Sequence, residues 1–371
     1  MLVTSIMAIR IRTPLRIAQV SPLYESVPPK LYGGTERVVS YLTEELVNLG
    51  HEVTLFASGD SRTRARLVPA CPKSLRLSPD CIDQLAHHFV MLDELFERAD
   101  DFDIIHFHID YLHFPLSRNA GIPQLTTLHG RLDLPDLPPL YHRYPDMPVV
   151  SISRSQRTPL PFANWVANVY HGLPAGNMSL GDGGGKYLAF LGRICPEKRV
   201  DRAIEIALKV GMPLKIAAKI DRVDREYFDS KIKPMLDHPS IEYIGEIAEN
   251  QKSDFLGNAY AYLFPIDWPE PFGLTMIESM ACGTPTIAFR RGSVPELINE
   301  GTSGLIVDNM EDAVSAVAKV ASMDRSACRD DFEARFTASR MAKDYVKLYQ
   351  SILSARSLSA NTPEMDTYLT L

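Results

Sequence analysis

Two series of short apolar segments alternate with helical patterns along the 371-residue chain, and they constrain its fold more than any other feature. Short apolar runs predict buried parallel strands, and the amphipathic segments between them predict crossover helices. The first series extends from Leu15 to Tyr170 and the second from Tyr187 to Val307. The sequence therefore predicts an α/β chain with two doubly wound, Rossmann-like sheets.

The predicted strands are runs of apolar residues, many of them β-branched or aromatic. In the first series they span 15–20, 52–57, 103–107, 124–128, 149–153 and 166–170. In the second they span 187–191, 214–218, 241–244, 259–264, 286–288 and 305–307. Helical spacing of apolar residues predicts a helix after the first strand of each series, the second of them over 200–210 with Gly211 as its stop.

A glycine-rich segment, residues 171–186, separates the two series and predicts a flexible connection. Ligands bind open α/β sheets at the carboxyl ends of their strands, so two sheets joined at a hinge imply a binding cleft between them. We expect a first domain over 1–174, a second over 175–330, a helical segment over 331–355 and a tail over 356–371.

Composition and charge exclude several classes of protein. The chain has 39 basic and 46 acidic residues, a net charge of -7, so we expect no nucleic-acid partner. Its five cysteines include no Cys-x-x-Cys pair, which predicts neither a disulfide framework nor a zinc site. No stretch reaches the roughly 18 apolar residues of a membrane-spanning helix, and residues 1–12 form an extension without the basic leader of a secretory signal. We therefore expect a cytoplasmic protein.

The sequence KLYGGTE places Gly33 and Gly34 between the first strand and its helix. Free backbone N–H groups and the helix dipole attract a phosphate at such a position, and glycine lets a ligand approach the backbone. The alternative is an ordinary glycine turn before a helix capped by Thr35. The motif alone does not decide between the two, and the dinucleotide-binding pattern Gly-x-Gly-x-x-Gly is absent.

The sequence GRICPEKRVD places Arg193 and Lys198 between a strand and the helix that follows it. A helix N-terminus is already electropositive, so two cations there favour an anionic ligand such as a diphosphate. The alternative is that both side chains are solvated or paired with Glu197 and Asp201.

The segment PEPFGLTMIESMACGTP, residues 269–285, places Glu270 in a loop and Glu278 one turn inside a helix. Their carboxylates can accept hydrogen bonds from vicinal diols, while backbone N–H groups over 272–275 can meet sugar hydroxyls. The alternatives are a helix-capping acid for Glu270 and a core position for Glu278.

The order of four motifs, GGTE, TLHG, GRICPEK and EPFGLTMIE, resembles the retaining glycosyltransferases of family 4 over nearly the whole chain. The resemblance implies the GT-B fold, in which two Rossmann-like doubly wound domains face each other across a cleft. Glu270 and Glu278 match that family's pair of glutamates, and Arg193 and Lys198 match its phosphate-binding cations.

The resemblance assigns roles to residues of both domains. It implies four catalytic residues, which are His129, Arg193, Lys198 and Glu270. It implies that the donor is bound by Gly33, Gly34, Arg193, Lys198, Ile247, Glu270, Phe272, Gly273, Leu274, Thr275 and Glu278. By the same resemblance, Glu278 would bind the ribose diol and Ile247 would contact the nucleobase, while the catalytic residue His129 would contact the transferred sugar.

The family's chemistry implies transfer of a hexose from a nucleoside diphosphate sugar to an acceptor hydroxyl with retention of configuration. We expect UDP-glucose as the donor, bound by the second domain, and neither a metal ion nor another cofactor. The acceptor would bind the first domain, to which the helix over 331–355 returns. The spacing of Asp101 and Asp103 matches metal-dependent transferases, but we interpret it as a turn before a strand.

The acceptor stays open at this point. The loop over 22–39 is similar to that of bacterial UDP-glucose:tetrahydrobiopterin glucosyltransferases, which makes a pterin one candidate beside other small metabolites and lipid or polysaccharide intermediates. Residues 61–76 carry five basic residues and no acid, which we interpret as a solvated loop. The alternative for this segment is contact with an anionic acceptor or, peripherally, with a membrane.

Two rival functions also remain. One is a UDP-sugar 2-epimerase of the same architecture, which would act on the donor without an acceptor. The other is a non-catalytic sugar-nucleotide binding protein, which would bind the same ligand without turnover.

Overall fold

The computed structural model describes residues 14–76 and 78–360. The first domain is built on a seven-stranded parallel sheet in the order β3-β2-β1-β4-β5-β6-β7. Its strands are β1 (Arg16–Val20), β2 (Glu52–Ser58), β3 (Arg66–Cys71), β4 (Ile104–Phe107), β5 (Gln124–Thr127), β6 (Val149–Ser151) and β7 (Trp165–Asn168). Its helices are α1 (Gly34–Asn48), α2 (Gln84–Glu97), α3 (Phe114–Ser117) and α4 (Leu137–Arg143).

The second domain is built on a six-stranded parallel sheet in the order β10-β9-β8-β11-β12-β13. Its strands are β8 (Leu188–Arg193), β9 (Leu214–Lys219), β10 (Ile241–Gly245), β11 (Ala261–Phe264), β12 (Thr286–Phe289) and β13 (Gly304–Val307). The remaining helices are α5 (Val200–Val210), α6 (Arg225–Tyr227), α7 (Glu249–Gly257), α8 (Leu274–Ala281), α9 (Val294–Leu297), α10 (Met310–Lys319), α11 (Arg325–Arg335) and α12 (Ala338–Ala360). The prediction of two doubly wound parallel sheets is confirmed.

The edge strand β3 lies inside the segment that we interpreted as a solvated loop, so that prediction is wrong for residues 66–71. Val68 and Cys71 are buried while Arg66 is exposed, as in a strand with one polar side. Charged residues and proline are typical of sheet edges, where they prevent pairing with another chain. Arg66 and Pro69 therefore give an edge strand the composition of a loop.

The strands inside each sheet are buried because helices cover both faces. On α5, the buried residues Val200, Ala203, Ile204 and Ala207 recur at helical spacing and pack against the second sheet. The helix ends where Gly211 adopts the left-handed conformation, with φ at 66°, as its position in the sequence predicts.

The glycine-rich segment is fixed to the second domain. Gly181 donates its backbone N–H to the Cys282 carbonyl at 3.0 Å, and Gly183 donates to the Gly257 carbonyl at 3.1 Å. A Cβ atom on Gly181 would lie 2.1 Å from the Gly257 carbonyl oxygen. These glycines allow close backbone approach, so the prediction of a flexible connection is wrong for residues 181–185.

The C-terminal helix α12 packs on α1 of the first domain. Tyr345 Oη lies 2.7 Å from Thr127 Oγ1, and Tyr349 Oη accepts a hydrogen bond from Gln19 at 3.1 Å. The helix begins later than the predicted residue 331 and extends past residue 355, because its sequence contains no glycine or proline that would end it. Residues 1–13 and 361–371, most of the predicted extension and tail, lie outside the described residues.

Candidate active site in the interdomain cleft

A cleft of about 830 Å³ lies between the two sheets. Every residue that the sequence analysis assigned to the site lines it. These residues are Gly33, Gly34, His129, Arg193, Lys198, Ile247, Glu270, Phe272, Gly273, Leu274, Thr275 and Glu278. The cleft joins loops that follow strands of both sheets, as expected for ligand sites in open α/β sheets.

The first domain contributes the N-terminus of α1. The helix begins at Gly34 and its N-cap is Gly33, with φ at 152°, so the alternative of a Thr35 cap is wrong. A Cβ atom on Gly33 would lie 2.7 Å from Pro29 Cβ, and one on Gly34 would lie 3.5 Å from Leu274 Cδ1. Glycine is therefore required at position 33 by its φ and by the close approach of Pro29, whereas a Cβ on Gly34 would make an ordinary contact with α8.

Arg193 ends β8, and Lys198 lies in the turn before α5. Nη1 of Arg193 lies 3.4 Å from Asp221, and Nζ of Lys198 forms an ion pair with Glu270. The alternative pairing with Asp201 is not formed, because Asp201 lies 3.0 Å from the Arg199 guanidinium. Arg193 and Lys198 are thus paired at the cleft with Asp221 and Glu270, which the sequence did not indicate as their partners.

Glu270 and Glu278 each have a cationic partner. Oε2 of Glu270 accepts from Trp268 Nε1 at 2.8 Å as well as from Lys198, and the carboxylate does not cap α8. Glu278 is 1% exposed, and its Oε1 accepts from Lys252 Nζ at 2.7 Å. Its Oε2 is buried beside the cleft and has no hydrogen-bond partner among the described residues.

The start of α8 brings backbone groups to the cleft. Gly273 is its N-cap in the left-handed conformation, with φ at 85°, and a Cβ atom there would lie 2.7 Å from Met276 Cε. The N–H groups at the start of a helix have no intrahelical partner and carry its positive dipole end. Phe272 is 2% exposed and its carbonyl accepts from Ser293, so its side chain shapes the wall of the cleft.

His129 follows β5 and belongs to a buried group of imidazoles. Its Nε2 lies 2.9 Å from His108 Nδ1, and its ring stacks on His171 with 5.2 Å between the centroids. Burial lowers the pKa of His129 to about 3, so the ring is neutral near pH 7. Its Nδ1 is buried without a hydrogen-bond partner among the described residues.

Two family models match the chain, one on each domain. Glycosyltransferase Family 4 matches residues 32–168, and Glycosyl transferases group 1 matches residues 179–335. Together the two models cover most of the chain and both domains of the cleft. The chain belongs to the GT-B glycosyltransferases. 

This glycosyltransferase is 39% identical over 90 residues to the D-inositol 3-phosphate glycosyltransferase of Corynebacterium kroppenstedtii, a match that covers 24% of this chain and 19% of that protein. The matches to four curated relatives span between 19% and 62% of the relatives' lengths.

Solved structures share the fold of the glycosyltransferase over its whole architecture. Sucrose-phosphate synthase from Thermosynechococcus elongatus has a TM-score of 0.72 at 17% identity, covering 92% of this chain and 100% of that chain. Anabaena HepE in complex with UDP and glucose has a TM-score of 0.68 at 14% identity, covering 93% of this chain and 100% of that chain. Within residues 14–76 and 78–360, no helix is long and apolar enough to cross a membrane.

Ion pairs and hydrogen bonds join the domains of the glycosyltransferase beside the cleft. Arg37 Nη1 lies 3.1 Å from Glu249 Oε2. At a second place, the carboxylate of Glu296 accepts from the backbone N–H groups of Arg154 and Ser155 at 2.8 and 2.7 Å. Both carboxylates belong to the second domain and bind groups of the first.

Sequence reasoning missed residues that support the site of the glycosyltransferase. Lys252 and Asp221 lie in segments without a recognisable motif, so no signal pointed to them. Trp268 is one of two tryptophans and lies two residues before Glu270, which could have marked it. The predicted turn at Asp101 and Asp103 is remote from the cleft, because Asp103 precedes β4 at the amino ends of the strands and binds Arg16 at 2.8 Å.

Proposed function

We propose that this glycosyltransferase moves glucose from UDP-glucose to the hydroxyl of an uncharged acceptor, with retention of configuration and without a metal ion. The observation that carries the proposal is that one cleft places Arg193, Lys198 and Glu270 of the second domain opposite His129 of the first. This combination suits a sugar diphosphate, with cations for the phosphates and polar acceptors for the sugar hydroxyls.

The donor diphosphate would bind Arg193 and Lys198. In the free protein these cations rest against Asp221 and Glu270, so they are positioned before the ligand binds. They would stabilise the charge that develops on the departing UDP, the task that a divalent ion performs in other transferases. The start of α8 adds backbone N–H groups and its dipole.

The nucleoside would extend along the second domain. Oε2 of Glu278, which lacks a partner among the described residues, is suited to accept from a ribose hydroxyl. Ile247 follows β10 and offers an apolar face to the base. UDP is the nucleotide in the HepE complexes, which supports it as the donor nucleotide here.

In the reaction, the acceptor hydroxyl would attack the anomeric carbon from the face on which UDP departs. A bond forms between the acceptor oxygen and the anomeric carbon, the bond between that carbon and the diphosphate oxygen breaks, and the hydroxyl proton passes to the departing diphosphate. The transition state has oxocarbenium character, and its leaving-group charge is met by Arg193 and Lys198.

The charges of the first domain favour an uncharged acceptor. Each of three arginines at this side of the cleft is already ion-paired: Arg37 with Glu249, Arg76 with Glu25 and Arg131 with Asp133. Among the described residues, the carboxylates of Glu36 and Asp110 on the same wall have no such partner. A phosphorylated acceptor would meet these carboxylates without a free cation, whereas a neutral hydroxyl can donate to them.

Aromatic side chains at this wall fit a planar or apolar acceptor body. Tyr24, Tyr32 and Tyr111 line the first-domain side, and Tyr32 and Tyr111 are 43% and 37% exposed. A pterin, another small metabolite, and the uncharged part of a lipid or polysaccharide intermediate all remain candidates.

The test measures binding of UDP, GDP and ADP sugars by thermal shift and calorimetry. We expect UDP-glucose to stabilise the protein, Arg193→Ala and Lys198→Ala to weaken that binding, and the control Arg290→Ala, in a surface pair with Asp308, to leave it unchanged. Turnover with excess chelator and NMR of the product's anomeric configuration test metal independence and retention. No stabilisation by any nucleotide sugar would overturn the proposal.

The same assays separate the rival functions. Incubation with UDP-N-acetylglucosamine in the absence of an acceptor would give an epimerised sugar from a 2-epimerase. Binding of UDP-glucose without hydrolysis or transfer would indicate a binding protein.

A further inference from the structure

A chain of buried hydrogen bonds extends from His129 away from the cleft. His108 Nδ1 lies 2.9 Å from His129 Nε2, and His108 Nε2 lies 2.8 Å from Gln19 Oε1. His108 and Gln19 are 2% and 0% exposed, so water does not compete for these bonds. On the other side of the His129 ring, Nδ1 is buried and has no partner among the described residues.

The oxygen of Gln19 sets the direction of these hydrogen bonds. A carboxamide oxygen only accepts, so His108 carries its proton on Nε2. Burial, with the nearby imidazoles of His106, His129 and His171, lowers the pKa of His108 well below its usual range. The ring is therefore neutral, and its Nδ1 accepts a hydrogen bond. The donor is His129, which must therefore carry its proton on Nε2.

The far end of the chain fits the same direction. Tyr349 Oη accepts from Gln19 Nε2 at 3.1 Å and lies 2.8 Å from His106 Nδ1. His106 Nε2 in turn lies 2.7 Å from Thr127 Oγ1. Because Nε2 of Gln19 donates to Tyr349, the oxygen of the same carboxamide faces His108.

We propose that Gln19 and His108 are positioning residues that hold His129 with its proton on Nε2, so that Nδ1 accepts a hydrogen bond from a hydroxyl of the transferred sugar. A buried acceptor without a partner is unfavourable in the free protein, and a sugar hydroxyl would satisfy it. The site would thereby select a donor sugar that presents a hydroxyl to Nδ1 over one that lacks it. Only the position of the sugar beside His129 rests on the proposed function.

The first measurement is independent of any ligand. Long-range hydrogen–nitrogen NMR spectra of histidine-labelled protein near neutral pH report which ring nitrogen carries the proton. We expect Nε2 for His129 in the wild type. We expect Gln19→Leu to lose this single tautomer, because the acceptor for His108 is gone.

Thr127→Val is the matched control, because it changes the far end of the same network and leaves the bonds of Gln19, His108 and His129 in place. It is expected to keep the proton of His129 on Nε2. A purely structural role for Gln19 would instead lower the stability of Gln19→Leu without changing the tautomer.

The second measurement compares the affinities for UDP-glucose and for UDP by calorimetry. Gln19→Leu is expected to weaken UDP-glucose about 3- to 10-fold, the effect of one hydrogen bond, and to leave UDP unchanged. A proton on Nδ1 of His129 in the wild type, or an equal loss for both ligands, overturns the proposal. If neither ligand binds, the proposed function fails, while the NMR result still decides the tautomer. If Gln19→Leu does not fold, Gln19→Met, which also lacks an acceptor for His108 and keeps the length of the side chain, decides it.

Discussion

Arg37 of α1 and Glu249 of α7 form an ion pair between the two domains, with 3.1 Å between Nη1 and Oε2. Glu249 also lies 2.9 Å from Lys252, which in turn lies 2.7 Å from Glu278. A chain of charges therefore connects the domain interface with the carboxylate proposed for the ribose. Lys252 thus joins the ion pair between the domains to Glu278.

Glu249→Gln is expected to favour the open cleft and to weaken UDP binding about 3- to 10-fold. Arg37 is 7% exposed, so removing its partner leaves a largely buried charge that gains solvation when the domains separate. Calorimetry measures the affinity, and small-angle scattering measures the radius of gyration. Glu242→Gln, which removes a surface pair with Lys215, is the control. Unchanged affinity and radius in Glu249→Gln would contradict the link.

Gly273→Ala is expected to destabilise the protein by about 1–3 kcal/mol and to weaken donor binding. The backbone of Gly273 has φ at 85°, a conformation that is strained for alanine, and the added Cβ would displace the end of the Met276 side chain, whose Cε would lie 2.7 Å away. Urea unfolding and UDP calorimetry check the two effects. Gly176→Ala, where a Cβ meets no atom within 4 Å, should change neither quantity.

The sequence predicted the strands of the two sheets well because most of them are covered on both faces and read as continuous apolar runs. It failed at β3, where Arg66 and Pro69 are suited to a sheet edge but also typical of a loop. It failed at Gly181, because the need for glycine there comes from the backbone of Gly257, far along the chain. Local composition cannot reveal such a contact.

The candidate site was predictable where its residues are close in sequence, as in the segment from Glu270 to Glu278. The hydrogen bonds behind His129 were not predictable, because Gln19 and Tyr349 are 330 residues apart and meet only when α12 packs on the first domain. The ion pair of Lys198 with Glu270 likewise joins two motifs that are 72 residues apart. The residue types were visible in the sequence, but their partners were set by the tertiary structure.

We expect the change in the free energy of unfolding caused by Asp110→Asn to be more stabilising near pH 7 than near pH 5. Asp110 is an exposed residue that lines the cleft, and desolvation by the atoms around its carboxyl raises its pKa to about 6. Between the ordinary Asp value of about 3.9 and that pKa, the folded protein keeps a proton that the unfolded chain loses, so the wild type loses stability as pH rises through this window. The asparagine variant lacks this loss, and urea unfolding at both pH values measures the difference.

Asp133→Asn is the control for this pH dependence. The hydrogen bonds from Arg131 lower the pKa of Asp133, so its carboxylate is ionised in both folded and unfolded protein at pH 5 and above. Its effect on stability should be equal near pH 5 and near pH 7. An equal effect of Asp110→Asn at the two pH values would show that the atoms around Asp110 do not raise the pKa of its carboxyl.

Trp268→Phe is expected to lower kcat about 10-fold with little change in stability, because it removes the 2.8 Å hydrogen bond to Glu270 Oε2. The phenyl ring keeps an aromatic face for Lys198, whose Nζ lies 5.5 Å from the Trp268 ring centroid. The other tryptophan provides the matched control, since Trp165 Nε1 donates to the Leu160 carbonyl at 2.8 Å in the first domain. Trp165→Phe should lose stability and keep kcat. A normal kcat in Trp268→Phe would show that Lys198 alone is enough to orient Glu270.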